Sequence, residues 1–193
     1  QPVRFPGRGQ PERNLTRERS AQLASQTLKK SSDNAIKRVR GNGKRVLYTF
    51  EDPNCGFCRE LQKEVMKLND VTVYTFLIPI LGGDSPEKSA NIWCAKDRTR
   101  AWLDWMLEGK AAPRSMGQCE TPMARNLAFS RKHKINGTPA IFFEDGARVP
   151  GALSAEASTS PKEPPRQLCG SEAVPTSRRW QGRSRPARHN RAS

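Results

Sequence analysis

The chain has 193 residues, room for one domain of ordinary size with an appendage, and its 35% hydrophobic content places part of it outside any packed core. The formal net charge of +15 is unevenly distributed, with +9 in residues 1–45, +5 in residues 154–193 and only +1 in residues 46–153. Each basic flank holds a single aromatic residue, Phe5 or Trp180, so the stacking platforms of single-strand binders are missing; composition argues against specific nucleic-acid recognition and leaves only non-specific polyanion affinity.

In chain order, residues 1–11 read as disordered, since Pro and Gly interrupt every pattern. From Asn14 to Arg40 the scattered Leu15, Leu23, Leu28, Ile36 and Val39 allow a polar helix or two, too thin in apolar residues for a core of their own. Gly41-Asn42-Gly43 is a break. Val46–Glu51 is a strand candidate, followed by Phe57, Leu61, Val65 and Leu68 at helical intervals. After a turn at Asn69-Asp70, Val71–Ile78 is a second strand, rich in β-branched and aromatic residues. Strand, helix, strand predicts a βαβ unit with parallel strands and a right-handed crossover.

Pro79 and Gly82-Gly83 close that unit. Ser85-Pro86 starts a helical stretch, with Ser85 as the capping hydroxyl and the proline in the first turn; the stretch carries Ile92, Trp93, Trp102, Leu103 and Met106 towards Gly109 as a C-cap. Thr121-Pro122 repeats the start signal, and that helix ends on Arg131, Lys132, His133 and Lys134, the charge that suits a helix C-terminus. Ala140–Phe143, Asp145-Gly146 and Arg148-Val149 read as a hairpin with a two-residue turn. Gly151–Ser154 could begin a closing helix over the sheet, but apolar periodicity does not continue. Ser158–Pro161 and Pro164-Pro165 then introduce a tail of disordered composition.

Chemistry concentrates at Cys55-Gly56-Phe57-Cys58, between the first strand and its helix. Two thiols at a helix N-terminus meet the macrodipole and free N–H groups, which favour the thiolate that acts as nucleophile and leaving group in disulfide exchange. Cys55 is the candidate nucleophile and Cys58, on the same helical face, the resolving thiol. Gly56 and Phe57 are candidate tuners of the redox poise, with simple packing as the alternative for Phe57. Glu51 and Asp52 could relay a proton from Cys58, although a solvated turn fits the sequence better. Cys94 and Cys119 form a more distant pair and Cys169 is the odd one, an adventitious thiol of the tail. Four cysteines in the dense middle suit an oxidising compartment with one catalytic pair and one bridge. Spacing alone does not give the bridge, and a four-cysteine zinc site in a basic binding module remains its rival; His133 and His189 are poorly placed to complete one. Trp93, Trp102 and Trp105 read as packing. No stretch is long and apolar enough to cross a membrane, and the N-terminus lacks a signal peptide's apolar run; a start at Gln1 is expected of a mature or truncated form, which leaves export open.

A CxxC near a βαβ pattern reads as thioredoxin-like. Together with Ile92-Trp93-Cys94-Ala95-Lys96-Asp97, Gly137-Thr138-Pro139-Ala140 and Val149-Pro150-Gly151, the motif resembles the bacterial periplasmic disulfide isomerases of the DsbC/DsbG type, and Gly56 favours the DsbC branch. The resemblance covers about residues 40–153. It implies an α/β thioredoxin-like fold over 46–153 with a helical insert at about 82–134, flanked by linker-like or disordered ends at 1–45 and 154–193. It implies a cis bond at Thr138-Pro139 beside the cysteines, presenting backbone to an extended substrate, and a structural disulfide between Cys94 and Cys119. It further implies a periplasmic enzyme acting on misoxidised proteins without metal or organic cofactor, re-reduced by a membrane thiol reductase.

In that family an N-terminal dimerisation domain precedes a linker helix. Arg13–Arg19 resembles the exit from such a domain, and the ends otherwise depart from the pattern, so truncation upstream and a reading-frame change after about Glu156 are expected. A monomer follows, active in simple exchange and poor at isomerisation, or at the extreme an inactive fragment. The unrecognisable closing helix predicts an uncovered sheet face and low stability.

Overall fold

Local signals set most of the elements in the computed structural model, which describes residues 14–116 and 119–150. Helix α1 (Leu15–Lys30) starts where the Asn14 side chain accepts the Arg17 N–H and ends on Lys29 and Lys30, matching the helix dipole at its C-terminus. A single 3-10 turn (Ser32–Asn34) leads to strand β1 (Ile36–Arg40). Strand β2 (Arg45–Glu51), helix α2 (Gly56–Val65) and strand β3 (Val71–Leu77) form the βαβ unit, with β2 and β3 parallel. Helices α3 (Ser85–Trp93), α4 (Arg98–Glu108) and α5 (Met123–Lys132) intervene before the hairpin of β4 (Ala140–Phe143) and β5 (Arg148–Pro150).

The sheet runs β1-β3-β2-β4-β5, with every pairing antiparallel except β2–β3. Its two faces have separate cores. Tyr48, Phe50, Phe76 and Phe142 meet Ala24 and Leu28 of α1 and Phe129 of α5; Phe50 stacks between Phe76 at 4.8 Å and Phe129 at 4.9 Å. Leu47, Val71, Val73 and Ile141 face Leu61 and Val65 of α2. Beside them, Ile36 and Leu77 pack with Cys58, Ile92, Trp102 and Met106, which joins the helices of the insert to the sheet. Both faces therefore carry helices, and Leu47 and Ile141 are buried. The expected uncovered face is not found. The expectation rests on the unrecognisable closing helix after residue 150, whereas α1, from the segment before residue 46, covers one side of the sheet together with α5.

Four further expectations change. The boundary at residue 46 falls inside the sheet, since β1 pairs along its whole length with β3. Ile36 and Val39 are three apart and mimic helical spacing, while the alternation that marks a strand is hidden because Arg38 turns inward. The helical stretch from 85 to 109 is two helices: Asp97 leaves the helical conformation and accepts the Arg100 N–H at 2.9 Å, starting α4 anew. Ser85 is not the cap of α3; Asp84 occupies that position, and the Ser85 hydroxyl is drawn into the loop before Cys55. The β4–β5 turn has three residues rather than two, because Phe143 and Ala147 pair across Glu144-Asp145-Gly146. Gly146, at φ +83°, supplies the left-handed residue of that turn, and its missing side chain admits the Ala21 carbonyl of α1. Gly109 caps α4 in the left-handed conformation, as its sequence position predicts. The expected disorder of residues 1–11 and of the tail, the start of a closing helix at Gly151 and the thiol Cys169 lie outside the described residues.

Candidate active site

The strand-to-helix junction places the first thiol. Cys55 is the N-cap of α2, with extended backbone, and its Sγ accepts the Cys58 N–H at 3.2 Å. Across the fold, the loop before β4 brings Thr138 to the same sulfur. The Cys55 thiol donates to the Thr138 carbonyl oxygen at 3.2 Å, and the Thr138–Pro139 peptide bond is cis. The Thr138 hydroxyl is buried without a hydrogen-bond partner among the described residues. Cys58 is fully buried, on the stripe that α2 presents to the sheet, while Phe57 is 72% exposed beside the site, so packing does not account for it. A side chain at Gly56 would meet open space. Both thiols are free.

Two carboxylates lie under this junction, and neither is in the solvated turn that the sequence favoured: Glu51 and Asp52 are both fully buried. Glu51 ends β2 on the face covered by α2. Gln62 Nε2 donates to both of its oxygens, at 2.8 and 2.9 Å, and Thr49 donates its hydroxyl at 2.6 Å. Burial dominates over these bonds and raises the Glu51 pKa to about 7. Burial first, and then the charge of Glu51, push the Cys58 thiol well above the ordinary range. Glu51 therefore acts on Cys58 through its charge, from the face of the sheet that α2 covers. Alternation along β2 is the signal that could have found it, because Leu47, Thr49 and Glu51 share the α2 face.

Asp52 has a different task. Its Oδ1 accepts from the Asn54 N–H at 2.8 Å and the Ser85 hydroxyl at 2.7 Å, and its Oδ2 accepts the Leu81 N–H at 2.9 Å. Asn54 in turn donates to Asp84 and Ser85 and accepts from Lys88 Nζ at 2.8 Å. Trp105 of α4 donates its indole N–H to the Pro53 carbonyl at 2.6 Å, and Lys88 Nζ stands 4.2 Å from the indole ring centroid. The helices of the insert thus grip the residues leading into Cys55. The packing role that the sequence suggests for the three tryptophans holds for Trp102 and Trp93 in the core, whereas the partly buried Trp105 also makes this contact.

Cys94 and Cys119 are joined by a disulfide that closes a sequence separation of 25 residues. That bond overturns the zinc alternative, since it removes two of the four proposed ligands. Among the described residues no cluster of three or more His, Cys, Asp or Glu could hold a metal ion.

Comparison with known proteins agrees with this geometry. Residues 32–160 match the model of the thioredoxin-like domain. The chain is 46% identical over 142 residues to the probable thiol:disulfide interchange protein DsbC of Bordetella pertussis, covering 73% of this chain and 50% of that protein. It is 33% identical over 112 residues to the thiol:disulfide interchange protein DsbC of Escherichia coli K12, covering 56% and 46%. The crystal structure of a disulfide interchange protein from Neisseria gonorrhoeae superposes with a TM-score of 0.61 at 42% identity, over 64% of this chain and 89% of that one. The chain spans about half the length of the curated relatives it matches. With the matched region exceeding half of its length and the redox motif at the fold's strand-to-helix junction, the chain belongs to the thioredoxin-like family.

Proposed function

We propose that the protein carries out thiol–disulfide exchange on misoxidised proteins through Cys55 and Cys58. The observation that carries this reading is the placement of Cys55 Sγ at the N-terminus of α2, against the Thr138 carbonyl and in front of buried Cys58. Cys55 as thiolate attacks one sulfur of a substrate disulfide; the substrate S–S bond breaks, a Cys55–substrate disulfide forms, and the other substrate sulfur leaves as a thiolate. Two exits follow. A second substrate thiolate attacks the substrate sulfur, which isomerises the substrate and frees Cys55. Alternatively Cys58 loses its proton to Glu51 and attacks Cys55, which releases a reduced substrate and leaves a Cys55–Cys58 disulfide. Thr138, beside the cis bond, offers backbone groups to an extended substrate segment. Gly56 and the exposed Phe57 flank the reacting sulfur and tune it.

The names of the relatives support the same chemistry; a periplasmic location and re-reduction by a membrane thiol reductase follow from the resemblance that the sequence motifs carry. The test is reduction of insulin by a dithiol-coupled assay, with the native chain compared to Cys55→Ser. Turnover in the native chain that Cys55→Ser abolishes supports the reading. Absence of turnover, or turnover that survives the substitution, overturns it.

A further inference from the structure

The role of Glu51 depends on a chain of contacts that begins on β1. Arg38 Nη2 donates to Gln62 Oε1 at 3.0 Å, and the same amide donates through Nε2 to both oxygens of Glu51. The order is chemically forced. A guanidinium has no acceptor, so it faces the amide oxygen, and the amide NH2 is then left to face the carboxylate. The amide group therefore relays the positive charge of Arg38 to Glu51 as two donated hydrogen bonds. Gln62 sits on the inner stripe of α2 with Cys58, Leu61 and Val65, where an apolar residue would satisfy packing alone. Arg38 is an inward-facing charge on a strand, and its Nε has no hydrogen-bond partner among the described residues. Neither residue is explained by the core.

We propose that Arg38, acting through the Gln62 amide, is the positioning residue that keeps Glu51 able to accept the Cys58 proton during resolution. This rests on the exchange reading above. In the step concerned, the Cys58 S–H bond breaks and its proton passes to a Glu51 oxygen. The thiolate then attacks Cys55 Sγ, and the Cys55–substrate bond breaks with its electron pair on the substrate sulfur. The charged and titratable groups facing Glu51 are Arg38 from β1 and Cys58 from α2; Thr49 from β2 and Thr75 from β3 contribute hydroxyls. Arg40 repels Arg38, which is itself lowered chiefly by burial. Without the guanidinium the amide is free to turn its oxygen towards the carboxylate, which would hold Glu51 protonated and unable to act.

The experiment is the pH profile of a two-phase reaction between the reduced full chain, in a Cys169→Ser background, and a chromogenic aryl disulfide. Attack by Cys55 releases the first aryl thiol, and resolution by Cys58 releases the second. The variants are Arg38→Met, Arg38→Lys and Gln62→Leu. The Met and Leu variants are expected to move the midpoint of the second phase upward by about one pH unit, roughly a tenfold slower resolution on the rising limb of the profile. The Lys variant, which keeps a charged donor, is expected to lie nearer to wild type, and the first phase is expected to keep its profile throughout. Gln62→Leu provides the same reading if Arg38→Met does not fold. A second phase that superimposes on wild type in whichever of these two variants folds overturns the inference. A wild-type chain without two phases, or a first phase that survives Cys55→Ser, overturns the exchange reading instead.

Discussion

Cys55 Sγ and the Thr138 carbonyl oxygen lie 3.2 Å apart although 83 residues separate them in the chain. The contact sets the carbonyl against the sulfur that substrate must reach, while Cys58 stays fully buried behind it. Cys55 is itself only 5% exposed, so the proposed attacking role of Cys55 and resolving role of Cys58 rest on the place of Cys55 as the N-cap of α2 as well as on this small difference in access. Cys58→Ser is expected to accumulate a stable covalent adduct between Cys55 and a disulfide substrate, visible by mass spectrometry and lost on adding a reductant. Cys55→Ser is expected to form none. An adduct on residue 58 in the Cys55→Ser chain would reverse the assignment.

Glu51 makes stability depend on pH in a definite direction. Its folded-state pKa is raised from 4.5 to about 7, so between those values the folded chain holds a proton that the unfolded chain has released. Stability therefore falls as pH rises through this window, and the full loss is reached above about pH 7. At about 1.4 kcal/mol per pH unit, the ionised carboxyl costs about 3 kcal/mol. Glu51→Gln removes the titrating group, so denaturant unfolding of the reduced protein at pH 5 and pH 8 is expected to show a smaller decrease than in wild type. An equal decrease in both would contradict the assignment.

The Cys94–Cys119 bond closes a loop with a sequence separation of 25 residues in the insert that grips the approach to Cys55. In the chain-entropy model a loop of that size contributes about 3 kcal/mol. Replacing both cysteines by serine is expected to lower Tm by roughly 10 °C. A calorimetric scan with the Cys55–Cys58 pair held in one redox state checks this, and an unchanged Tm would refute it.

Gly146 joins the β4–β5 turn to α1. An added Cβ would lie 1.8 Å from the Ala21 carbonyl oxygen, and φ is +83°. Alanine there meets both the steric clash and the left-handed backbone, so Gly146→Ala is expected to destabilise by about 2–3 kcal/mol. Measured per folded molecule, the reaction of Cys55 is expected to be unaffected. Stability within about 0.5 kcal/mol of wild type would show that the turn and α1 are not packed in this way.

Much of the scaffold was legible because its signals are local. Apolar residues at helical and strand intervals identified α2, β2 and β3. The left-handed glycine after α4 and the Asp-Gly pair before β5 marked breaks that hold. The CxxC motif marked the head of α2, where the proposed chemistry lies, and the motifs around Cys94 and Thr138 carried the resemblance that implied a disulfide and a cis bond. Strand β1 was not legible, because Arg38 occupies an inward position where alternation requires an apolar residue.

A residue's near neighbours along the chain reveal whether it can join a helix, a strand or a turn, and the sequence alone therefore placed both thiols at the head of α2. They do not reveal which distant side chain it will face. The pairing of β1 with β3 brings Arg38 to Gln62, the pleat of β2 turns Glu51 towards α2, and the folded insert brings Trp105 to Pro53 and Ser85 to Asp52. Glu51 and Asp52 are adjacent acidic residues that read alike in the sequence. The tertiary structure alone separates them, because Glu51 is the last residue of β2 and faces α2, whereas Asp52, one residue beyond the strand, meets Asn54, Leu81 and Ser85. Glu51 stands with a buried thiol and an amide that relays charge, and Asp52 holds a loop.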